Sequence, residues 1–514
     1  MVVLAGDRAY KFKKPVNYGF LDFSTLDRRR EFCEMEMRLN RRLAPDLYLE
    51  TLPVTGTAAA PLLGGQGTAI EYCVCMRRFA AGCELAELIG QGAIGRREID
   101  DLAAQVAAFH AAAPVVGAGV HHGSPASVVG PALHNFDHLL PHLAADAVRY
   151  GQAVTLRDWT VAEGERLAGV LAARKAGGFI RECHGDMHLG NMVLDRGRVT
   201  IFDCIEFSDE LRCIDVMSEA AFVAMDLERH GRRDLAWRFL NRYLEATGDY
   251  DGLAVLRFHQ VYRALVRAKV CLLRATEGGA GACEEGLAYF DLAVSMRLAD
   301  RRLLAVVCGP SGSGKSTISM PLAERLGAVR LRSDVERKRL HGLGPLADSG
   351  SATGGGIYSE SATAHTYARL AGFAGAILDA GLPAVIDATC GRREQRERFR
   401  AVAERNGACC AIVELAAPRE ELERRIAHRA AAAGDPSEAT VAVLHRQLSA
   451  HEPATADELS RWVTVDVPDL GDPVAIAAGI EARLAALAPV SGITWRGDAS
   501  VPAAAGDRSG SPDR

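Results

Sequence analysis

The chain predicts two folds in tandem: an N-terminal α+β domain of two lobes, then a C-terminal α/β domain on a parallel sheet. Three stretches carry this. Leu303 to Val307 is a short, wholly apolar run ending in Gly309-Pro-Ser-Gly-Ser-Gly314-Lys315-Ser316-Thr317, and Ile318, Met320, Leu322 and Leu326 follow at helical spacing. Strand, glycine loop and helix is the context that G-x-x-x-x-G-K-[ST] requires. Upstream, Asp186 and Asn191 stand five residues apart before a short hairpin that delivers Asp203. Nearer the start, a strand bearing Lys11 and Lys13 precedes a helix bearing Glu36.

At 514 residues the chain exceeds one hydrophobic core. The expected division is 1–299, 300–489 and a tail, 490–514, whose Gly, Ser, Pro and Asp content predicts disorder. Hydrophobic content of 48% and charged content of 24% are ordinary for globular proteins. The net charge of −5 and the aromatic content of 6% argue against a basic, stacking nucleic-acid groove. No apolar run spans a bilayer, and the first residues lack a basic leader, so neither membrane nor secretion is expected. The 13 scattered cysteines suit reduced thiols and a cytoplasmic setting.

Taken in order, Val2 to Leu4, a Gly6-Asp7 turn and Ala9 to Lys13 form a hairpin ended by Lys14-Pro15. A helix starts at Ser24 or Thr25 and runs to Leu43, before Pro45. Phe32, Met35, Leu39 and Leu43 make its apolar stripe, and Glu36 falls inside that stripe, roughly 40° from Phe32. A carboxylate aimed into an apolar face wants a cation, and Lys11 and Lys13 point the same way, so alternation leaves both open. Glu71 to Met76 is a later strand, and Arg77-Arg78-Phe79 is a hinge between lobes. Leu102 to His110 is a helix of small residues, and Gly117 to Ser127 is a loop whose His121-His122 pair lacks further ligands.

The second informative stretch is His184-Gly-Asp186-Met-His188-Leu-Gly-Asn191, then Met192 to Leu194, an Asp195-Arg-Gly turn, Val199 to Phe202 and Asp203. A phosphoryl acceptor hydroxyl needs a carboxylate within hydrogen-bond reach, which Asp186 supplies. Mg²⁺ beside a triphosphate needs oxygen ligands, which Asn191 and Asp203 supply. This stretch resembles the aminoglycoside phosphotransferase and choline kinase superfamily, as does the LAxxxAxxH helix that ends at His110. The resemblance covers roughly residues 1–299. It implies a protein-kinase-like bilobal fold, with Glu36 and Lys11 or Lys13 as the pair that positions the phosphates. It also implies that acidic residues of the helical lobe hold a cationic acceptor, with Glu206, Asp209, Glu210, Asp226 and Glu228 as candidates. Two departures stand out: no glycine-rich loop precedes the lysine strand, and Cys204-Ile205 follows Asp203 where protein kinases have Phe-Gly.

Helices run from Leu253 to Leu298, and Asp300-Arg-Arg302 is a short junction that predicts packed rather than swinging units. In the loop that follows, Gly309, Gly312 and Gly314 free backbone N–H groups, including those of Ser311, Ser313 and Thr317, to face phosphate oxygens of ATP. Lys315 would reach the β- and γ-phosphates and Ser316 would hold Mg²⁺. Val329 to Leu331 and Leu382 to Asp387 are further strands whose carboxyl ends deliver Asp334, facing an acceptor or Mg²⁺, and Asp387, a Walker-B-like or substrate-side carboxylate. After a strand at Ala411 to Leu415, a helix carries Arg424, Arg425 and Arg429, and Arg425 and Arg429 share a face suited to a phosphate clamp. This half resembles the small P-loop kinases (gluconate kinase-like, polynucleotide kinase and zeta-toxin-like proteins). The whole resembles bacterial two-domain proteins joining both halves, which implies ATP- and Mg²⁺-dependent phosphorylation of a small-molecule hydroxyl such as an amino-sugar or sugar. The alternatives are a nucleic-acid 5′-end kinase acting through the P-loop, marked by salt-dependent single-strand binding, and a substrate-sensing scaffold regulated by a P-loop ATPase, marked by tolerance of Asp186→Ala.

Overall fold

A computed structural model describes residues 1–17, 21–276, 278–298, 300, 302–351, 354–431 and 435–487. The tail read as disordered lies outside the described residues.

The chain opens with two strands, Val2–Ala5 and Arg8–Phe12, closed by Gly6 in the left-handed region. They continue into an antiparallel sheet ordered Val2–Ala5, Arg8–Phe12, Glu71–Arg77, Tyr48–Thr57, Ala60–Leu63. The helix Leu26–Asn40 is capped by the Thr25 hydroxyl, which accepts from the Arg28 N–H. It ends three residues before the expected Leu43, because Arg41 to Leu43 close a tighter turn onto carbonyls of its last residues. Cys33 and Met37 pack on Tyr48 and Val74 of the sheet, which fixes the helix face that carries Glu36. Phe32 and Met35 are only half-buried, and the buried stripe runs through Cys33, Glu36, Met37 and Leu39.

The lower lobe is helical, with Arg96–Ala112, Pro125–Leu143, Ala147–Ala176, Val216–Arg229, Arg233–Thr247, Leu253–Thr276 and Ala282–Leu298 around two small ribbons. One ribbon pairs Ile180–Glu182 with Cys213–Asp215, and the other pairs Met192–Asp195 with Arg198–Ile201. The second turns at Arg196 and Gly197, both at positive φ, as a two-residue hairpin with the twist of its strands demands. Across the hinge Arg77 holds Asp195 at 2.6 Å.

The C-terminal sheet is wholly parallel, ordered Val329–Arg332, Ala384–Asp387, Leu303–Cys308, Cys409–Ala416, Trp462–Asp466. Its inner strands Leu303–Cys308, Ala384–Asp387 and Cys409–Ala416 are nearly continuous apolar runs, as burial on both faces requires, whereas the edge strand Val329–Arg332 carries two buried arginines. The glycine-loop strand lies at the centre, and Asp387 pairs in register with both Val307 and Arg332. One hydrophobic core runs through both halves, taking in Trp237, Leu240 and Tyr243 from the first and Leu304, Val329 and Ile386 from the second. No disulfide forms; all 13 cysteines are free.

Candidate active sites

In the first half the hairpin strand brings Lys11 and Lys13 to the same carboxylate. Lys11 Nζ donates to Glu36 Oε1 at 2.9 Å and Lys13 Nζ to Glu36 Oε2 at 2.8 Å. Their other partners separate them: Lys11 also bonds Asp203, and Lys13 bonds Glu206. Lys11 therefore sits at the mouth with a partly exposed side chain, while Lys13, Glu36 and Glu206 are buried. Burial alone would lower the Lys11 ammonium, but Glu36 and Asp203 hold it well above its ordinary value. Burial would raise Glu36, but Lys11 and Lys13 keep it below its usual range and ionised. Glu206 goes the other way, raised by burial that Lys13 only partly offsets.

Asp186 and Asn191 meet across one turn: Asn191 Nδ2 donates to the Asp186 carbonyl at 2.9 Å and to Asp186 Oδ2 at 3.1 Å, which leaves Asn191 Oδ1 outside that pairing. Burial would push the Asp186 carboxyl up, but the His188 ring at 3.4 Å and the Arg267 charge hold it well below the carboxylate range. Asp203 adopts φ 64°, a left-handed conformation that an aspartate tolerates better than most residues, and donates its N–H to the Tyr48 hydroxyl at 3.1 Å. The next N–H, of Cys204, is bound by Asn40 Oδ1 at 2.8 Å, so the helix that carries Glu36 also sets the strand end that carries Asp203.

Sequence reasoning missed what braces this loop. Glu219 accepts from the N–H groups of His184 at 3.0 Å and Gly185 at 2.7 Å, and pairs with His110 Nε2 at 3.0 Å. Its signal was a glutamate one turn into the apolar helix Val216–Arg229, where every residue up to Leu227 is buried. His184 Nε2 faces the Phe202 carbonyl at 2.9 Å, tying the loop to the hairpin.

The acidic acceptor candidates are mostly engaged elsewhere. Glu206 serves Lys13, Asp209 serves Arg212, and Asp226 accepts from the Leu189 N–H at 2.8 Å and the Tyr289 hydroxyl at 2.5 Å. Asp226 is thus a buried brace beneath the loop rather than a recognition group. The rings of His121 and His122 lie 4.2 Å apart, tilted 49° to each other, and among the described residues neither joins a cluster of metal-binding groups.

In the second half, Gly309, Gly312 and Gly314 have φ of 139°, 84° and 89°. A Cβ would meet the Leu415 carbonyl oxygen at 2.7 Å from Gly309 and the Leu422 carbonyl oxygen at 2.7 Å from Gly312. Glycine is required there on both counts. The loop opens onto a cavity of about 1130 Å³ lined by Lys315, Ser316, Thr317, Asp334, Asp387 and Arg429, among others. Lys315 Nζ lies over the loop, donating to the carbonyls of Gly309 at 2.8 Å and Pro310 at 2.9 Å. Burial lowers its ammonium, against the pull of Asp387 and Asp334. The Ser313 hydroxyl is fully buried with no partner. Asp387 accepts from Ser319 Oγ at 3.0 Å. Asp334 belongs to the helix Ser333–Leu340, whose cap is Arg332, so it is no N-cap and its carboxylate faces the cavity. Arg425 is committed to Glu421 and to the carbonyls of Gly312 and Val467, so it buttresses the glycine loop rather than standing free as a clamp. Arg429 donates to the Ala439 carbonyl at 2.9 Å, on the cavity wall.

A lysine–glutamate pair above a D-x-x-x-x-N loop, joined to a glycine loop on a parallel sheet, defines a kinase with two phosphotransferase-type folds. Residues 21–259 match the phosphotransferase enzyme family (APH), and residues 304–454 match the AAA domain family AAA_33. Uncharacterized protein Rv2004c of Mycobacterium tuberculosis H37Rv and uncharacterized protein Mb2027c of Mycobacterium bovis are each 33% identical over 428 residues, spanning 82% of this chain and 84% of theirs. The chain belongs to the family of these two mycobacterial proteins. Among solved structures, a gluconokinase from Sinorhizobium meliloti 1021 is 25% identical, covering 37% of this chain and 95% of its own with a TM-score of 0.26. The Mycobacterium tuberculosis APS kinase CysC, in complex with AMPPNP and APS, is 22% identical, covering 36% and 98% with a TM-score of 0.27. Among the described residues no helix is long and apolar enough to cross a membrane.

Proposed function

We propose that this chain is an ATP- and Mg²⁺-dependent phosphotransferase acting on a hydroxyl of a small molecule, with one site in residues 1–299 and a second in 300–489. The observation that carries it is the Lys11 bridge from Glu36 to Asp203, above a catalytic loop in which Asn191 orients Asp186. In the first site Lys11 holds the nucleotide phosphates, steadied by Glu36. Asp186, held ionised by its neighbours, orients the acceptor hydroxyl and takes its proton as the new oxygen–phosphorus bond forms and the bond from the γ-phosphorus to the bridging oxygen breaks, ADP leaving with the electron pair. Asn191 Oδ1 and the Asp203 carboxylate are hard oxygen donors that fit Mg²⁺. Bound there, the ion would neutralise charge on the transferring phosphate. Lys13 keeps Glu36 charged from the buried side.

In the second site the fit rests on the glycine cradle that a Cβ would fill and on the orphaned Ser313 hydroxyl within it. Ser316 and Asp387 are the oxygen donors for Mg²⁺, Lys315 is the phosphate lysine, and Asp334 faces the acceptor. Arg429 stands at the wall where a phosphate would pass, and Arg425 keeps the loop in shape.

The test is ATP consumption against amino-sugars, sugars, cholines and nucleosides by the intact protein, Asp186→Ala and Lys315→Ala. Acceptor-dependent turnover that falls at least about 10²-fold in Asp186→Ala supports the first site as the transferase. Turnover unchanged in Asp186→Ala and lost in Lys315→Ala moves the chemistry to the second.

A further inference from the structure

The helix Arg233–Thr247 of the first half reaches into the phosphate site of the second. Asn241 completes the edge strand of the parallel sheet, its Nδ2 donating to the Ala328 carbonyl at 2.9 Å and its Oδ1 accepting from the Arg330 N–H at 2.6 Å. One turn on, Glu245 takes the guanidinium of Arg330 and lies 3.9 Å from Nε of Arg332. Arg332 also faces the nucleotide loop: its Nη2 donates to Ser316 Oγ at 3.3 Å, and the same Nε stands 3.7 Å from Asp387 Oδ2. Arg332 Nε is buried and makes no hydrogen bond. The Arg332 cation is therefore shared, at nearly equal distances, between one carboxylate from each half.

We infer that Glu245 is a positioning residue for the second site, holding the Arg332 charge back from Asp387 and Ser316 so that these oxygens stay available to Mg²⁺·nucleotide. This rests on the second-site reading given above. Glu245, Arg332 and Asp387 are all less than a tenth exposed, so the division of charge among them is poorly screened by solvent. Without the Glu245 charge, Arg332 passes wholly to Asp387, and the buried Arg330 adds its own positive field in the same direction. The metal then competes with an internal cation for its carboxylate. Any shift of this helix in the first half thus alters how much Mg²⁺ the second half requires, and linkage makes the coupling reciprocal.

The experiment uses the full chain and a fluorescent ATP analogue titrated at graded Mg²⁺, the binding component lost in Lys315→Ala being that of the second site. In Glu245→Gln the Mg²⁺ concentration for half-saturation of this component is expected to rise about fivefold or more, with the other component unmoved. Adding Arg332→Gln to Glu245→Gln is expected to reverse the rise, which a merely structural lesion would not do. An unchanged midpoint in Glu245→Gln, or a rise that Arg332→Gln leaves in place, overturns the inference alone. Should Glu245→Gln fail to fold, as judged by circular dichroism, Arg332→Gln alone decides: a lower midpoint than the parent supports the inference, and an equal or higher one overturns it. If Lys315→Ala removes no binding component, the second-site reading falls and this inference falls with it.

Discussion

Lys11 and Lys13 share one glutamate but not one job, and the difference lies in their remaining partners. Lys11 Nζ bridges to Asp203 at the open mouth, whereas Lys13 is sealed between Glu36 and Glu206. Lys11→Met should weaken nucleotide binding at the first site about 10-fold or more while leaving the unfolding free energy within about 1 kcal/mol of the parent. Lys13→Met should do the reverse first, destabilising by about 3–5 kcal/mol because it strips the buried Glu206 of the cation bonded to it, whereas Glu36 keeps one lysine in either variant. Equilibrium unfolding and nucleotide titration on the two variants separate the roles, and equal stability losses would refute the division. Sequence alternation could not choose between the lysines because residues two apart on a strand share a face. The choice depends on Asp203 and Glu206, which arrive from nearly two hundred residues away. His259 is a further residue-scale case. Burial lowers its pKa to about 4, both ring nitrogens lack partners, and the ring is neutral in the fold. Its folded value lies below the unfolded one, so its contribution is present above about pH 6.5 and is lost as pH falls toward 4. The loss is about 3 kcal/mol at most. His259→Leu should flatten that part of the stability–pH curve, and an unchanged slope between pH 6.5 and 4 would exclude His259 as its source.

The helix Val216–Arg229 shows how an element rather than a residue holds the loop that bears Asp186. It carries Glu219 under the N–H groups of His184 and Gly185 and Asp226 under that of Leu189, bracketing the loop that bears Asp186. Backbone N–H groups in a buried turn need acceptors, and two carboxylates two turns apart on one helix supply them in fixed register. Glu219→Gln should lower kcat about 10²-fold, through misplacement of Asp186, with KM nearly unchanged. Steady-state kinetics with an identified acceptor would check it, and a fall in thermal stability with kcat intact would assign Glu219 to folding alone. The D-x-x-x-x-N loop, its hairpin and the glycine loop were legible as structure because each is local: spacing and turn chemistry suffice to place Asp186, Asn191, Asp203 and Lys315. The brace was not, because Asp226 looks the same in sequence whether it faces a ligand or a buried amide. The same ambiguity made Arg425 look like a clamp, when its donors close onto carbonyls contributed by two other segments.

Across the whole molecule, the junction near residue 300 separates two folds but not two cores. The helix Arg233–Thr247 packs Trp237 and Leu240 into the same hydrophobic cluster as Val329 and Ile386, and Arg238 holds Glu324 at 2.7 Å from the first half to the second. The short junction predicted packing; the surfaces that pack could not be read, since Asn241 and Glu245 resemble ordinary surface residues until the edge strand Val329–Arg332 arrives beside them. A shared core and a sheet edge completed from outside couple the stabilities of the halves. Urea unfolding of the full chain should therefore be one cooperative transition, coincident by tryptophan fluorescence and far-ultraviolet circular dichroism. Trp159 of the first half and Trp462 of the second should report the same midpoint when each is monitored in a variant that retains it alone. Asn241→Leu orphans the Ala328 carbonyl and the Arg330 N–H at the buried seam, at about 1–3 kcal/mol each, and lowers the seam's contribution. Its expected result is a split of the single transition into two, the second half unfolding first because it loses the support of its edge strand. Two resolved transitions already in the parent protein would show that the halves fold independently and that the common core carries no cooperativity.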